Sequence, residues 1–218
     1  MENRTKIILI RHGQSLGNLT RTFLGHTDLD LSDLGYKQAN ATAEHLKNEK
    51  IDAIYSSDLK RALNTAIPNA KIRNIDVKTS KNLREVYAGE WENMHVDDII
   101  AKWGREVFRD QWANNFGRFT MPGGESIKAA GERFYKELLD ICSINEGKTV
   151  LISAHAAVIR SFWAKICGIP SEKVSELLPF ASNASYSVLY YENGKFVPFE
   201  YSNDDHLNEV GITKVNLI

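Results

Sequence analysis

Two runs in this chain, KIILIRH (6–12) and TVLISAH (149–155), each carry an apolar stretch directly into a histidine, His12 and His155. A lone histidine after a strand is usually incidental or a satisfied core residue. Two in matching positions point to shared chemistry, because imidazole serves as nucleophile, proton carrier or metal ligand near neutral pH. Arg11 stands beside His12, and Arg61 falls early in a helical pattern that follows IDAIYS (51–56) and is expected to be capped near Ser57. A cation in a first helical turn opposes the helix dipole by about 0.3–1 kcal/mol. Arg61 is therefore expected to face an anion, while Lys60 reads as solvated helix face. Two guanidiniums can grip one anion through paired hydrogen bonds. Glu85, in LREVYAGEWE (83–92), supplies a carboxylate; Glu90 and Glu92 stand nearby, and spacing alone does not choose among the three.

These groups fit two chemistries. In the first, His12, His155 and Glu85 ligate a metal. Two permanently charged guanidiniums would repel a divalent cation, and no HxH or HExxH spacing supports the site. In the second, phosphoryl transfer proceeds without metal. The arginines balance charge on the equatorial oxygens, one histidine attacks phosphorus in line, and a carboxylic acid protonates the leaving oxygen. An anionic phosphate suits the cationic set.

The elements that must position these groups alternate along the chain. Lys6–Ile10 reads as a strand buried on both faces. Ser32 reads as the cap of a helix bearing Leu34, Ala39, Ala43 and Leu46. Strands are expected at 51–56, 75–80 and 149–153, and helices from about Ser57-Asp58, over 126–144 and over 156–167. Residues 185–191 and 195–201, joined by Glu192-Asn193-Gly194, read as a closing hairpin. Such alternation predicts an α/β fold with a mostly parallel sheet covered on both faces, and ligands bind beyond the carboxyl ends of such strands. An insert at 87–121 breaks the rhythm with Tyr87, Trp91, Trp103, Phe108, Trp112, Phe116 and Phe119. Core packing is the favoured reading of these rings, with a roof over the pocket as the second.

The bulk composition narrows the function classes. With 218 residues, 25% of them charged, and a net charge of −1, the chain has no global field to recruit nucleic acid or an anionic membrane. It has no apolar stretch of spanning length and no signal-peptide core in MENRTK, so a cytoplasmic protein is expected. Cys142 and Cys167 stand apart without zinc-site spacing and read as free thiols.

Several ordered motifs resemble one family. Arg11-His12-Gly13 follows a strand with Asn18 downstream, Leu31-Ser32-Asp33-Leu34-Gly35 precedes Gln38-Ala39, and Ser57-Asp58-Leu59-Lys60-Arg61-Ala62 opens a helix. Leu83-Arg84-Glu85, Gly89-Glu90-Trp91-Glu92, Pro122-Gly123-Gly124-Glu125-Ser126 and the late His155 complete the set. Together they are similar to the histidine phosphatase superfamily, the phosphoglycerate-mutase-like group, across residues 6 to 160. The resemblance implies a single domain over 1–218, a three-layer α/β/α architecture with a mostly parallel central sheet, and a small helical, aromatic insert over the active site. It implies His12 as the nucleophile that becomes phosphohistidine. Arg11, Arg61 and His155 would hold the phosphoryl group, with Asn18, Gly25 and Ala156 as further binding positions. It also selects Glu85 as the acid that protonates the leaving alcohol and then activates water. Neither metal nor cofactor is implied. A histidine of this kind needs one ring nitrogen held by a backbone carbonyl, for which Gly13 is the candidate. Gly13 is also expected to let the chain turn away close to the anion.

Two departures stand out. The family's usual Ser-His-Gly-Gly is here Ala154-His155-Ala156-Ala157, whose methyls are expected to crowd a bulky substrate, and Asn93 stands where a glycine often follows Trp-Glu. Mutases of the group carry a longer cation-bearing run after the acid. VYAGEWENMHVDDIIAKWG lacks it, so hydrolysis of a small phosphate ester is expected over mutase activity. A catalytically silent phospho-ligand-binding module is the third reading; such relatives usually lose the nucleophile or the acid, and both are present here. The partner expected is a small phosphorylated molecule, not nucleic acid or membrane, and the chain is expected as a monomer or homodimer.

Overall fold

The computed structural model describes residues 4–108 and 119–214. Its strands and helices follow one another as β1 (Thr5–Arg11), α1 (Leu16–Leu19), β2 (Thr22–Phe23), α2 (Asp33–His45), β3 (Ala53–Ser57), α3 (Lys60–Arg73) and β4 (Val77–Ser80). Then come β5 (Met94–His95), α4 (Val96–Trp103), α5 (Ile127–Ser143), β6 (Thr149–Ala154), α6 (Ala156–Ile166), α7 (Val174–Leu177), β7 (Tyr186–Glu192) and β8 (Lys195–Asn203).

The main sheet has the order β4-β3-β6-β1-β7-β8. β4, β3, β6 and β1 run parallel, and β7 and β8 close the other edge antiparallel. Apolar runs such as Ile7–Ile10 have no polar face because helices cover both sides. Ile7, Leu9, Val150 and Ile152 join one core with Phe134, Leu138 and Ile141 of α5 and Phe162 of α6. Ile8, Ile10, Ile54 and Leu151 point the other way, into a core with Ala66 and Ala70 of α3. The architecture is the expected three-layer α/β/α, with the period-2 alternation of each strand dividing its residues between the layers.

The cap predicted at Ser32 forms, its side chain accepting from the Gly35 N–H, and Ser126 caps α5 by accepting from Ala129. The hairpin turns through Asn193 and Gly194, both at positive φ, as its right-handed twist requires. One expectation needs correcting. α3 begins at Lys60, not near Ser57-Asp58, and its capping position, Leu59, offers no side-chain acceptor. Asp28, from a distant loop, accepts from the Lys60 N–H at 2.7 Å instead. A second sheet, β2 with β5, is only two residues per strand and left no pattern in the sequence.

Among the described rings of the insert, Trp91, Phe108 and Phe119 are core. Trp91 and Phe108 are buried and pack with Phe23 and Phe119 in ring contacts of 5.4–6.4 Å. Tyr87 is exposed and Trp103 half-buried, while Trp112 and Phe116 lie outside the described residues.

Candidate active site

The two histidines are brought together by sheet register. Arg11 pairs with Ala154 across β1 and β6, so the next residues, His12 and His155, leave adjacent strands side by side. The His12 N–H donates to the Ala154 carbonyl at 2.9 Å, and the two imidazole centroids are 5.2 Å apart. His12 Nδ1 donates to the Gly13 carbonyl at 2.7 Å, which places the ring proton there and leaves Nε2 with its lone pair. Burial, then Arg61 and Arg11, hold the His12 imidazole well below the usual histidine range, so it is neutral. Burial and Arg61 do the same to His155, and neither of its ring nitrogens has a hydrogen-bond partner among the described residues.

Gly13 supplies the expected carbonyl, but the need for a glycine there comes from packing. Its φ is ordinary, but a Cβ there would stand 2.6 Å from the Gly35 carbonyl oxygen. Glycine is needed because the loop after β1 lies against the start of α2, not because the chain turns through a left-handed conformation. The Gly13 N–H donates to Thr65 Oγ1, whose hydroxyl in turn donates to the Arg61 carbonyl.

Both arginines are buried and held by neutral acceptors. Arg61 donates to the Gly25 and Thr27 carbonyls, each at 2.8 Å, and Arg11 donates to the Ala181 carbonyl. Burial lowers each guanidinium to about 10, so both still carry their charge at neutral pH. Removing such an ion from water costs several kcal/mol, and carbonyl hydrogen bonds return about 1.5–3 kcal/mol each. Among the described residues no carboxylate pairs with either guanidinium, which favours a bound anion.

Glu85 follows Arg84, which grips Asp58 at the end of β3 with two bonds of 2.6 Å. The Glu85 carboxylate accepts from the Val86 N–H at 3.0 Å and, at the start of α6, from the Ala157 and Val158 N–H groups at 3.1 and 3.2 Å. The other two glutamates go elsewhere: Glu90 pairs with Lys102 on the surface, and Glu92 lies against the 25–27 loop.

Arg11, His12, Asn18, Gly25, Arg61, Glu85 and Ala156 all line one cavity of about 590 Å³, with His155 buried beside it. Gly25 contributes mainly its carbonyl, spent on Arg61. Asn18 Oδ1 accepts from the Ser15 N–H and from Asn183 Nδ2, each at 3.1 Å, leaving its own amide N–H groups for a ligand. Ala156 edges the cavity, whereas Ala157 is fully buried in the core and cannot crowd a ligand. Asn93 has φ +59, a conformation asparagine shares with glycine, and lies away from the cavity wall.

Further supports of the site leave no local mark in the sequence. Asn183 donates to the His12 carbonyl and exchanges bonds with Thr213, and Gln38 holds Gly211 and Thr213. These place Ile212, Thr213 and Lys214 on the cavity wall. Nothing in the local pattern of a lone asparagine or of a tail segment marks such contacts.

A strand-edge pocket with two neutral histidines, two uncancelled guanidiniums and a carboxylate is a phosphoryl-group site. The histidine phosphatase superfamily (branch 1) model matches residues 7–204, and the chain belongs to that family. It is 31% identical over 205 residues to phosphoserine phosphatase 1 of Hydrogenobacter thermophilus, covering 94% of this chain and 95% of that one. It is 33% identical over 210 residues to phosphoglycerate mutase-like protein 4 of Arabidopsis thaliana, covering 94% and 88%. Among solved structures, the phosphoserine phosphatase of Entamoeba histolytica in complex with 3-phosphoglyceric acid aligns with a TM-score of 0.77 at 28% identity, over 93% of this chain and 99% of that one.

Proposed function

We propose that the chain is a metal-independent phosphomonoesterase acting through a phosphohistidine. The observation that carries this reading is the coupling of a neutral, tautomer-locked His12 to two guanidiniums held only by carbonyls among the described residues. His12 Nε2 attacks phosphorus, the ester P–O bond breaks, and Glu85 gives its proton to the leaving alkoxide. The Glu85 carboxylate then takes a proton from water as that water attacks the phosphohistidine, which releases phosphate and restores both groups. Arg11, Arg61 and His155 hold the equatorial oxygens, Asn18 adds a side-chain donor, and the Ala156 N–H is the helix-terminal donor that Glu85 does not take.

Hydrolysis is favoured over mutase chemistry by the rest of the wall. Phe23, Leu24, Val86, Val96, Phe180 and Ile212 give it apolar surface beside the neutral polar Gln14, Ser15, Thr22 and Thr213. The further cations are Arg21, already paired with Asp97, and Lys214. A small phosphate ester with an apolar body fits that lining. The function is proposed for one domain spanning the chain, as monomer or homodimer. No helix among the described residues is long and apolar enough to cross a membrane, and Cys142 and Cys167 are free, which supports a reducing, cytoplasmic setting.

The test is hydrolysis of an aryl phosphate at mildly acidic pH with EDTA present, with a rapid quench to trap the acid-labile phosphoenzyme. Activity that vanishes with EDTA and returns with a divalent metal would overturn the mechanism. Conversion of 3- to 2-phosphoglycerate stimulated by 2,3-bisphosphoglycerate, without hydrolysis, would establish the mutase reading instead.

A further inference from the structure

Arg61 can grip a phosphoryl group only if its own acceptors stay still. Those acceptors, the Gly25 and Thr27 carbonyls, belong to a segment between β2 and α2 that has no regular structure to hold it. We propose that Glu92 is a positioning residue that fixes this loop, and through it sets Arg61 against Glu85. The proposal rests on the phosphatase reading of the site and concerns a residue that does not line the cavity.

The geometry is a four-donor cradle around one carboxylate. Glu92 Oε1 accepts from the His26 N–H at 2.7 Å and the Ala88 N–H at 3.0 Å. Glu92 Oε2 accepts from the Thr27 N–H at 2.6 Å and the Thr27 hydroxyl at 2.5 Å. One side chain therefore ties the loop that carries Arg61's acceptors to the segment that follows Glu85. His26 closes the circuit, since its Nε2 donates to the Glu85 carbonyl at 2.8 Å. Gly25 makes the arrangement possible: it has φ +50, and a Cβ there would stand 2.1 Å from Glu92 Oε1. The glycine that the family resemblance implies as a binding position thus also leaves room for the brace beneath it and for Ala88.

Electrostatics explains why a carboxylate sits under the loop rather than on the arginine. A direct Glu92–Arg61 pair would cancel charge needed for the phosphate dianion. With carbonyls between them, Glu92 spends its charge on neutral N–H and O–H donors, and Arg61 remains cationic toward the cavity. Glu92→Gln keeps the shape but turns an acceptor oxygen into an N–H donor, which must then face another donor.

The experiment measures binding of inorganic phosphate by titration calorimetry to wild type, Glu92→Gln, Arg61→Lys and the double variant, with folding checked by circular dichroism. Glu92→Gln is expected to weaken phosphate about tenfold, the scale of one lost charged hydrogen bond. In the Arg61→Lys background the same change is expected to have little further effect, because the interaction it acts through is gone. Independent, additive losses, or unchanged phosphate affinity in folded Glu92→Gln protein, would overturn the proposal; a purely structural brace moves the melting temperature alone. Should Glu92→Gln not fold, Thr27→Val removes one donor at constant charge. A smaller weakening confined to the Arg61 background supports the proposal, and equal weakening in both backgrounds rejects it. Wild-type protein that binds no phosphate defeats the functional reading itself, and the proposal with it; phosphate binding without coupling defeats the proposal alone.

Discussion

Glu85 caps the helix that begins just after His155, its Oε2 accepting from the Ala157 N–H at 3.1 Å. The candidate acid is therefore fixed by the same turn of α6 that follows the second histidine, and it faces the cavity in one orientation. Replacing it with glutamine keeps an acceptor for that turn and removes the transferable proton. Glu85→Gln is expected to slow turnover about 10²–10⁴-fold on alkyl phosphates. With an activated aryl phosphate, whose leaving group departs without a proton, the first step is expected to be much less impaired. Burst kinetics would show phosphoenzyme building up in the variant on that substrate. Equal loss on both substrates would remove Glu85 from the acid role.

The nucleophile is expected to remain neutral below the usual histidine titration near 6.5, since burial first and Arg61 second lower its proton affinity. Removing the cation in Arg61→Gln takes away that second cause and is expected to move the His12 titration upward toward 6.5. NMR titration of the imidazole in phosphate-free buffer reads this directly. His12→Ala is expected to abolish the trapped phosphoenzyme, and a label that survives would place the nucleophile elsewhere.

Folding also lowers the proton affinity of His155, through burial and then Arg61 and His12. Above pH 6.5 neither the folded nor the unfolded imidazole is protonated and the group has no effect on stability. Below it the unfolded chain binds a proton that the folded chain does not, so stability falls with falling pH, by about 1.4 kcal/mol per unit for each such group. The loss stops only when the folded imidazole itself takes up a proton. His155→Gln is expected to flatten the slope of unfolding free energy between about pH 6.5 and the folded titration. Urea unfolding across that range measures it, and parallel slopes would contradict the shift.

What the sequence displayed was set by physics acting over short distances. Ile7–Ile10 and Val150–Ile152 read as buried strands because helices cover both faces, and the ring nearest each strand end inherits its place from sheet register. Arg61 stands out in the sequence as a cation in a first helical turn, but its helix starts later than the local pattern suggests because Asp28, not a neighbouring residue, caps Lys60. Spacing could not sort Glu85, Glu90 and Glu92, since their fates are decided by α6, Lys102 and the 25–27 loop, all remote in the chain. Asn183 was silent for the same reason: its partners are the His12 carbonyl and Thr213.

The paired alanines after His155 are expected to separate stability from selectivity. Ala157 is fully buried in the core on the far side of its N–H bond to Glu85, so Ala157→Gly should cost about 1 kcal/mol in unfolding free energy. Its KM across substrates should hold steady, because its methyl does not reach the cavity. Ala156 lines the cavity, and Ala156→Gly removes a methyl from the wall beside the phosphoryl site. The ratio of kcat/KM for a bulky over a small phosphate ester should rise in that variant, within the roughly tenfold range that one apolar group commands. A change in that ratio for Ala157→Gly and none for Ala156→Gly would mean that the two methyls have been assigned to the wrong sides of the helix.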